Sequence, residues 1–305
     1  MKKIVIIIIA TVLCFVCKAQ SEIEIAMVVP VEQESAMNAN LWQTLNGKMH
    51  TMITRNGVSA AEYSGIVMYP QISVLNEQTV EGGMKNITII DLQLTLTCEN
   101  VITNTVYNSQ VFYLRGEGTA NNVAKMKAIN NINPNNEQFA QFIKETKQKI
   151  VNYYQNNMAA LLDRAKTLAS MQQYGQAIAL LNTFPISVSG YKEVNNAIIA
   201  IYKQYQQDNC KQFYHSAYTA YSSNDYQRAL SVLEQIDMQS PCANDAKTLC
   251  NTIKQQVEEQ TARQAEQLEK MFQSYVDLES KRIKACRDIA VEYYKSACIN
   301  CRKSK

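Results

Sequence analysis

Residues 90–98 read Ile-Asp-Leu-Gln-Leu-Thr-Leu-Thr-Cys, and that alternation leaves few ways to fold. Successive side chains of a strand point to opposite faces. Ile90, Leu92, Leu94, Leu96 and Cys98 therefore share one face, and Asp91, Gln93, Thr95 and Thr97 share the other. One buried face and one wet face is the pattern of an antiparallel sheet. The neighbours extend it. Before it comes "SGIVMYPQISVLNEQTV", with Pro70 marking an edge or a bulge, and Gly82-Gly83 turns the chain. After it, a short turn at Asn100–Asn104 leads into "TVYNSQVFYLRG", rich in β-formers.

Helices are predicted on both sides of these strands. "IEIAMVV" (23–29) reads as a buried strand ended by Pro30. Residues 36–55 then place Met37, Leu41, Leu45, Met49 and Met52/Ile53 on one helical stripe, stopped by Asn56-Gly57. Two more helices are expected at about 119–132 and at 137–156, the latter with Phe139, Phe142, Ile143, Ile150 and Tyr153. Residues 20–157 thus read as an α+β domain with a mainly antiparallel sheet.

Gly116-Glu117-Gly118, between a strand and a helical run, has the outline of a phosphate cradle. A dinucleotide site needs a third glycine and a second strand, about 20 residues on, that carries an acid. Here the third-glycine position is Asn121, the feeding strand is antiparallel, and Glu137 falls in a helix. The glycines are instead expected to let the backbone leave the sheet for a helix capped by Thr119.

The rest of the chain is helical and repeats. "LLDRAKTLASMQQYGQAIALLNTF" (161–184) aligns with "FYHSAYTAYSSNDYQRALSVLEQI" (213–236). Ala165 meets Ala217, Tyr174 meets Tyr226, Ala177 meets Ala229 and Leu181 meets Leu233, at a period of 52. This resembles the tetratricopeptide helix–turn–helix, lengthened by a third helix at about 190–207 and 242–258. Residues 158–258 therefore read as an all-α helical-repeat domain. Residues 259–305 read as a long C-terminal helix and a basic tail, packing only in its second half.

The order strand, helix, three strands, helix, with Gly-x-Gly-Thr leading into an Ala-rich helix, resembles a known exported α/β domain. It is similar to the domain shared by the curli-secretion lipoprotein and the periplasmic activator of penicillin-binding proteins, related in fold to the TolB N-terminal domain. The Asn/Gln-rich chain and its leader also resemble exported envelope proteins of Bacteroidetes. The resemblance covers about residues 23–155 and implies a non-catalytic, partner-binding domain in the envelope.

The first residues agree with export. Lys2 and Lys3 precede an apolar run from Ile4 to Cys17, too short to span a bilayer, and Cys17-Lys18-Ala19 is an acceptable signal-peptidase site. A signal peptide of residues 1–19, cut between Ala19 and Gln20, is expected. Val16 before Cys17 and Leu13 before Cys14 are large for lipid attachment. The location expected is periplasmic, with outer-membrane association open. Losing the leader leaves 27 Lys and Arg against 27 Asp and Glu. That balance offers no general attraction to nucleic acid, and no second run is long enough for a transmembrane helix.

Chemistry-bearing groups are sparse. His50 and His215 are the only histidines and fall in separate domains, so neither a triad nor a metal site is expected. Cys298-Ile-Asn-Cys301 sits at the C-terminal end of a helix, where the dipole disfavours a thiolate. A local or intermolecular disulfide or two free thiols is the expected state, with redox use the alternative. Cys242 and Cys250 are too far apart on one helix to bond, whereas Cys210 can meet Cys250 across a hairpin. No catalytic, cofactor or metal residues are expected. The function expected is that of a protein-binding adaptor or assembly factor, its partner an envelope protein or peptide or a second copy; envelope-polymer binding is the other alternative.

Overall fold

The computed structural model describes residues 23–29, 38–82, 85–257, 259–273 and 278–303. The expected signal peptide and its expected Ala19–Gln20 junction lie outside them, as do Pro30, Met37 and Gly83. The chain divides into two compact units, one running through Tyr153 and including Pro185–Val188 and the chain from Asn300, the other built of Tyr154–Phe184 and Ser189–Ile299.

The first unit holds strands β1 (Glu24–Met27), β2 (Ser59–Ala61), β3 (Ile66–Gly82), β4 (Lys85–Asn100) and β5 (Thr105–Gly118). Helices α1 (Ala39–Arg55), α2 (Asn121–Asn130) and the start of α3 (Glu137–Ser170) complete it. The sheet order is β2-β1-β3-β4-β5. It is mixed: the long pairings β3–β4 and β4–β5 are antiparallel as expected, while β1 makes short parallel pairings with both β2 and β3. The cause is α1, which carries the chain from β1 to β2, a connection that only parallel strands require. The short strand β2 has no strong pattern of its own, and pairing with β1 creates it.

The alternation at 90–98 does what its spacing demands. Ile90, Leu92, Leu94, Leu96 and Cys98 are all buried. Ile90 and Leu92 pack on Ala124 and Ala128 of α2, and Phe112 of β5 packs against Phe139 and Phe142 of α3 at 4.3 and 6.0 Å between ring centroids. The α1 stripe buries Leu41, Trp42, Leu45, Met49, Met52 and Ile53. Burying one such side chain contributes roughly 1.5–3 kcal/mol, so these stripes dominate the stability of the unit. Lys48 of α1 donates to the carbonyls of Asn130 and Ile132 at 2.8 and 2.7 Å, closing the last turn of α2. The turn after β4 is built by Asn100, whose side-chain oxygen accepts from the Ile102 and Thr103 amides, while Asn104 takes a left-handed φ of 53°.

Gly116 and Gly118 do not release the chain from the sheet. They remain in β5, paired with Ile90 and Thr88, and neither has a positive φ. A Cβ on Gly116 would lie 2.0 Å from the Ala124 carbonyl oxygen and 2.5 Å from the Ala128 nitrogen. One on Gly118 would lie 2.8 Å from the Ala124 nitrogen. The glycines are there because α2 lies with its backbone directly on β5. The cap of α2 is Ala120 and makes no side-chain hydrogen bond, so Thr119 does not serve.

The second unit takes the rest of α3, then α4 (Tyr174–Asn182), α5 (Tyr191–Ser222), α6 (Tyr226–Leu233), α7 (Ala243–Gln256), α8 (Glu259–Gln273) and α9 (Leu278–Lys303). The period of 52 is visible in the backbone. Gln172 and Asn224 each take a left-handed φ, 60° and 57°, where α3 and α5 end. Tyr174 and Tyr226 each open the next helix, and Ala165, Ala217, Ala177, Ala229, Leu181 and Leu233 are all fully buried. Two details differ from expectation. No helix end separates 207 from 213: α5 runs unbroken to Ser222, since "QDNCKQ" contains no proline or glycine. Nor is the first part of the C-terminal region unpacked, because Ala265 and Leu268 of α8 join the cluster of Ala246, Leu249 and Cys250.

Candidate functional site

Which backbone groups of the sheet remain open follows from one hydrogen bond. The Val28 amide donates to the Met68 carbonyl at 3.0 Å, so Met68 faces β1. Facing alternates along a strand, and residues directly opposite in an antiparallel pair either both face each other or both face away. Met68 pairs with Cys98, and Cys98 pairs with Asn108. Cys98 therefore faces β5, Asn108 faces β4, and Ser109, Val111, Tyr113 and Arg115 turn their N–H and C=O groups away from the sheet. Arg115 confirms the phase: its carbonyl accepts from the Asn131 side chain at 3.2 Å. No strand among the described residues pairs with this edge.

Beside the edge lies a groove of about 1170 Å³. Asn108, Ser109 and Gln110 of β5 form one side, and a stripe of α3 containing Gln138, Gln141, Lys144 and Gln148 forms the other. The hydrophobic stripe of α3 fixes this placement. Phe139 and Phe142 are held under Phe112, which turns the polar stripe toward the groove. The base is rigid. Buried Asn108 donates to Thr146 at 3.1 Å and accepts from Lys149 at 2.7 Å, and Thr146 in turn donates to the Phe142 carbonyl. Glu137, Glu145 and Lys147 also line the groove, and the Lys147 ammonium donates to the Gly57 carbonyl at 3.3 Å. Such a trough, lined by amides together with Glu137, Glu145, Lys144 and Lys147, offers hydrogen-bonding groups of both charge signs beside a strand edge.

The helical unit offers a different surface. Tyr214, Tyr218, Tyr221 and Tyr226 form a continuous ladder, with centroid spacings of 6.4, 6.1 and 6.0 Å. Tyr218 is 51% exposed. Burial, and then the nearby Asp245 carboxylate, push the Tyr214 hydroxyl above its ordinary pKa. The rings tilt by 30°, 47° and 52° from one to the next, and Tyr214, Tyr221 and Tyr226 pack partly on the core, leaving Tyr218 as the exposed ring.

The histidines stay apart: His50 lies on α1 in the first unit and His215 on α5 in the second. Among the described residues no group of three His, Cys, Asp or Glu is placed to hold a metal ion. Cys210 bonds Cys242, not Cys250, with 6.0 Å between Cα atoms. Cys242 is the N-cap of α7 rather than a residue within it. The Ser240-Pro241 turn therefore brings it back onto α5, while Cys250 points into the core and donates to the Ala265 carbonyl at 3.3 Å. Burial pushes the Cys250 thiol up to about 11 and that of Cys286 to about 12. Cys98, fully buried and beside Glu99, is held well above the usual thiol range. None of these three is a ready thiolate. The backbones of Cys298 and Cys301 belong to α9; their side chains lie outside the described residues.

The groove escaped sequence reasoning because a polar stripe at helical spacing reads as a solvated face. Only the absence of proline or inward charge in "NSQVFYL" hinted at an open edge.

No family model matches the chain, and no curated protein matches it. A solved structure similar to it is the 2.35 Å crystal structure of a minor lipoprotein from Acinetobacter baumannii, at 14% identity and a TM-score of 0.26. The match covers 41% of this chain and 90% of that one. A likeness at that score carries no argument about fold or function. No helix among the described residues is long and apolar enough to cross a membrane.

Proposed function

We propose that this chain is a non-catalytic, exported protein of the cell envelope that binds another protein, as an adaptor or assembly factor. One observation carries the reading: a strand edge that no described strand pairs with, its amides and carbonyls turned outward, borders a polar groove walled by a helix. Such an edge binds protein backbone rather than performing chemistry. The leader at residues 1–19 and the element order shared with exported α/β domains support the location. The helical unit supplies a second surface. Its period of 52, with small residues buried where helices touch, supports a tetratricopeptide-like reading of the hairpins.

Photo-cross-linking of the full chain in its own host's envelope tests this, with the probe placed in turn on the groove and on residues 158–258. One dominant protein captured through either surface is the expected result. Capture of nothing, or only of further copies of the chain, overturns it.

A second reading, binding of an envelope polymer, is favoured by the exposed Tyr218 ring within the tyrosine ladder, because an exposed aromatic ring can stack on a sugar. Tyr218→Ala would then abolish retention on purified envelope glycan; unchanged retention sinks that reading. The thiol-dependent alternative rests on Cys298 and Cys301 alone, and replacing both by Ser is its test.

A further inference from the structure

We propose that the outer face of α4 is a seat for a helix, that α9 occupies it as a resident and exchangeable ligand, and that a partner helix bearing small, small and tyrosine side chains at positions i, i+4 and i+8 takes its place. This rests on the protein-binding reading and gives the helical unit a mode of binding.

A comparison of the two repeats picks out the seat. In α6 the buried residues are Ala229, Leu230 and Leu233, which form one face. In α4, Ala177, Ile178, Ala179, Leu180 and Leu181 are buried in succession, which takes in every side of the helix. At the period of 52, Gly175 stands where α6 has Gln227, and Ala179 stands where α6 has Ser231. Gln227 and Ser231 are exposed, as an outer helix face usually is, whereas Ala179 is fully buried. Glycine and alanine four residues apart make a shallow strip on which a second helix can lie close.

α9 supplies the cover. A Cβ on Gly175 would lie 3.8 Å from a methyl of Ile289, and the Tyr294 hydroxyl donates to the Ala179 carbonyl at 2.8 Å. That carbonyl belongs to the last turn of α4, where helical partners run out. Cys286, Ala290 and Tyr294, each four residues from the next, are buried. They define the stripe that the seat accepts.

The hold is short. α9 has 26 residues, about 39 Å at 1.5 Å per residue, of which Cys286 to Tyr294 takes about 12 Å. Every other described side chain of α9 is exposed or half-buried. Ile283, one turn before Cys286, is already 50% exposed. A helix docked through one short stripe opens locally at less cost than unfolding the whole unit. Because α9 is tethered, a free helix competes against a high effective concentration. Its apparent affinity is the intrinsic one scaled by the fraction of chains whose seat is open. α9 thereby sets a threshold that a helix with the matching stripe can pass.

The probe is a labelled synthetic peptide of residues 281–297, titrated by fluorescence anisotropy against the full chain and against the full chain carrying Tyr294→Ala. The substitution loosens the chain's own α9 and leaves Gly175 and Ala179 in place. The variant is expected to bind the peptide at least about tenfold tighter than the parent does. A peptide with alanine in place of its tyrosine at position 294 is expected to bind the variant at least about tenfold more weakly. So that nothing hangs on how a variant folds, opening is read on the unmodified chain. There the amides of residues 291–294 should exchange with solvent at least roughly a hundredfold faster than those of residues 198–202 inside α5. Equal protection of the two sets overturns the inference, as does a peptide that binds both chains alike, binds neither, or binds equally well without its tyrosine. The envelope cross-linking above decides the protein-binding reading separately. A partner captured through residues 158–258 keeps that reading even where the peptide fails, and capture of nothing ends it whatever the peptide does.

Discussion

The two long edges of one sheet are handled in opposite ways. β3 extends past its partner β1 and carries Pro70, a register shift at Val74/Asn76, Glu77 and Glu81. β5 is the terminal strand, and its run from Asn108 has no proline and no register shift, its charges Arg115 and Glu117 standing only toward its end. Edge strands are a hazard that folded chains suppress. Suppression at one edge shows that the fold is subject to that hazard, so a regular, unguarded stretch at the other marks where pairing is tolerated. A bare edge is informative only beside a defended one.

The comparison breaks most completely if β5 loses its helix. Gly116→Val places side-chain atoms where the Ala124 carbonyl and Ala128 lie. It should cost about 3 kcal/mol or more, seen as a lower urea midpoint and loss of exchange protection in both β5 and α2. Gly118→Ala should cost less, since part of its contact is with the Val123 side chain.

Removing the staple of the helical unit separates the two units. Replacing Cys210 and Cys242 by Ser opens a loop of sequence separation 32. The expected loss is about 3 kcal/mol, read by thermal melting of helical signal, with amide exchange in β5 unchanged. If β5 amides change as well, the units are coupled and the edge comparison must include α5.

Removing the guards of β3 sharpens the comparison from its defended side. Pro70→Val with Glu77→Val and Glu81→Val restores an outward donor and removes two charges. Because Pro70 is buried and Glu77 accepts from Asn121 at 2.6 Å, folding should weaken by about 1–2 kcal/mol, while sedimentation should reveal concentration-dependent self-association that the parent chain lacks. A chain that stays unassociated would mean that the bulge alone suffices.

The smallest effect involves no mutation. In the free chain the Ser109, Val111 and Tyr113 amides should exchange roughly a hundredfold faster than those of Gln110, Phe112 and Leu114, which face β4. Equal protection of the two sets would mean that the edge is covered, and the comparison would fall.

Much of the fold was legible in the sequence where period and burial coincide. The strict alternation of 90–98, the α1 stripe and the Asn56-Gly57 stop depend on neighbours a few residues away, and each appears where its spacing placed it. So does the 52-residue repeat, because Ala165 and Ala217 must be small wherever two helices touch. What local pattern cannot carry is the partner of each element. The mixed sheet arose because α1 returns the chain to β2, whose three residues have no signal alone. The Gly-x-Gly pair was visible as glycine, but its reason, α2 lying backbone-first on β5, is a distance between segments. Cys210 joins Cys242 instead of Cys250 because a turn at Ser240-Pro241 reverses the chain, which helical spacing does not encode. The groove is the furthest from sequence. Its polar α3 stripe differs from any solvated face only in standing beside an unpaired strand, and juxtaposition is decided by packing, here by Phe139 and Phe142 beneath Phe112. The sequence by itself determined which faces are buried, since hydrophobic burial is a property of residues; only the tertiary structure decided which edge stays open, since an edge is defined by what does not lie next to it.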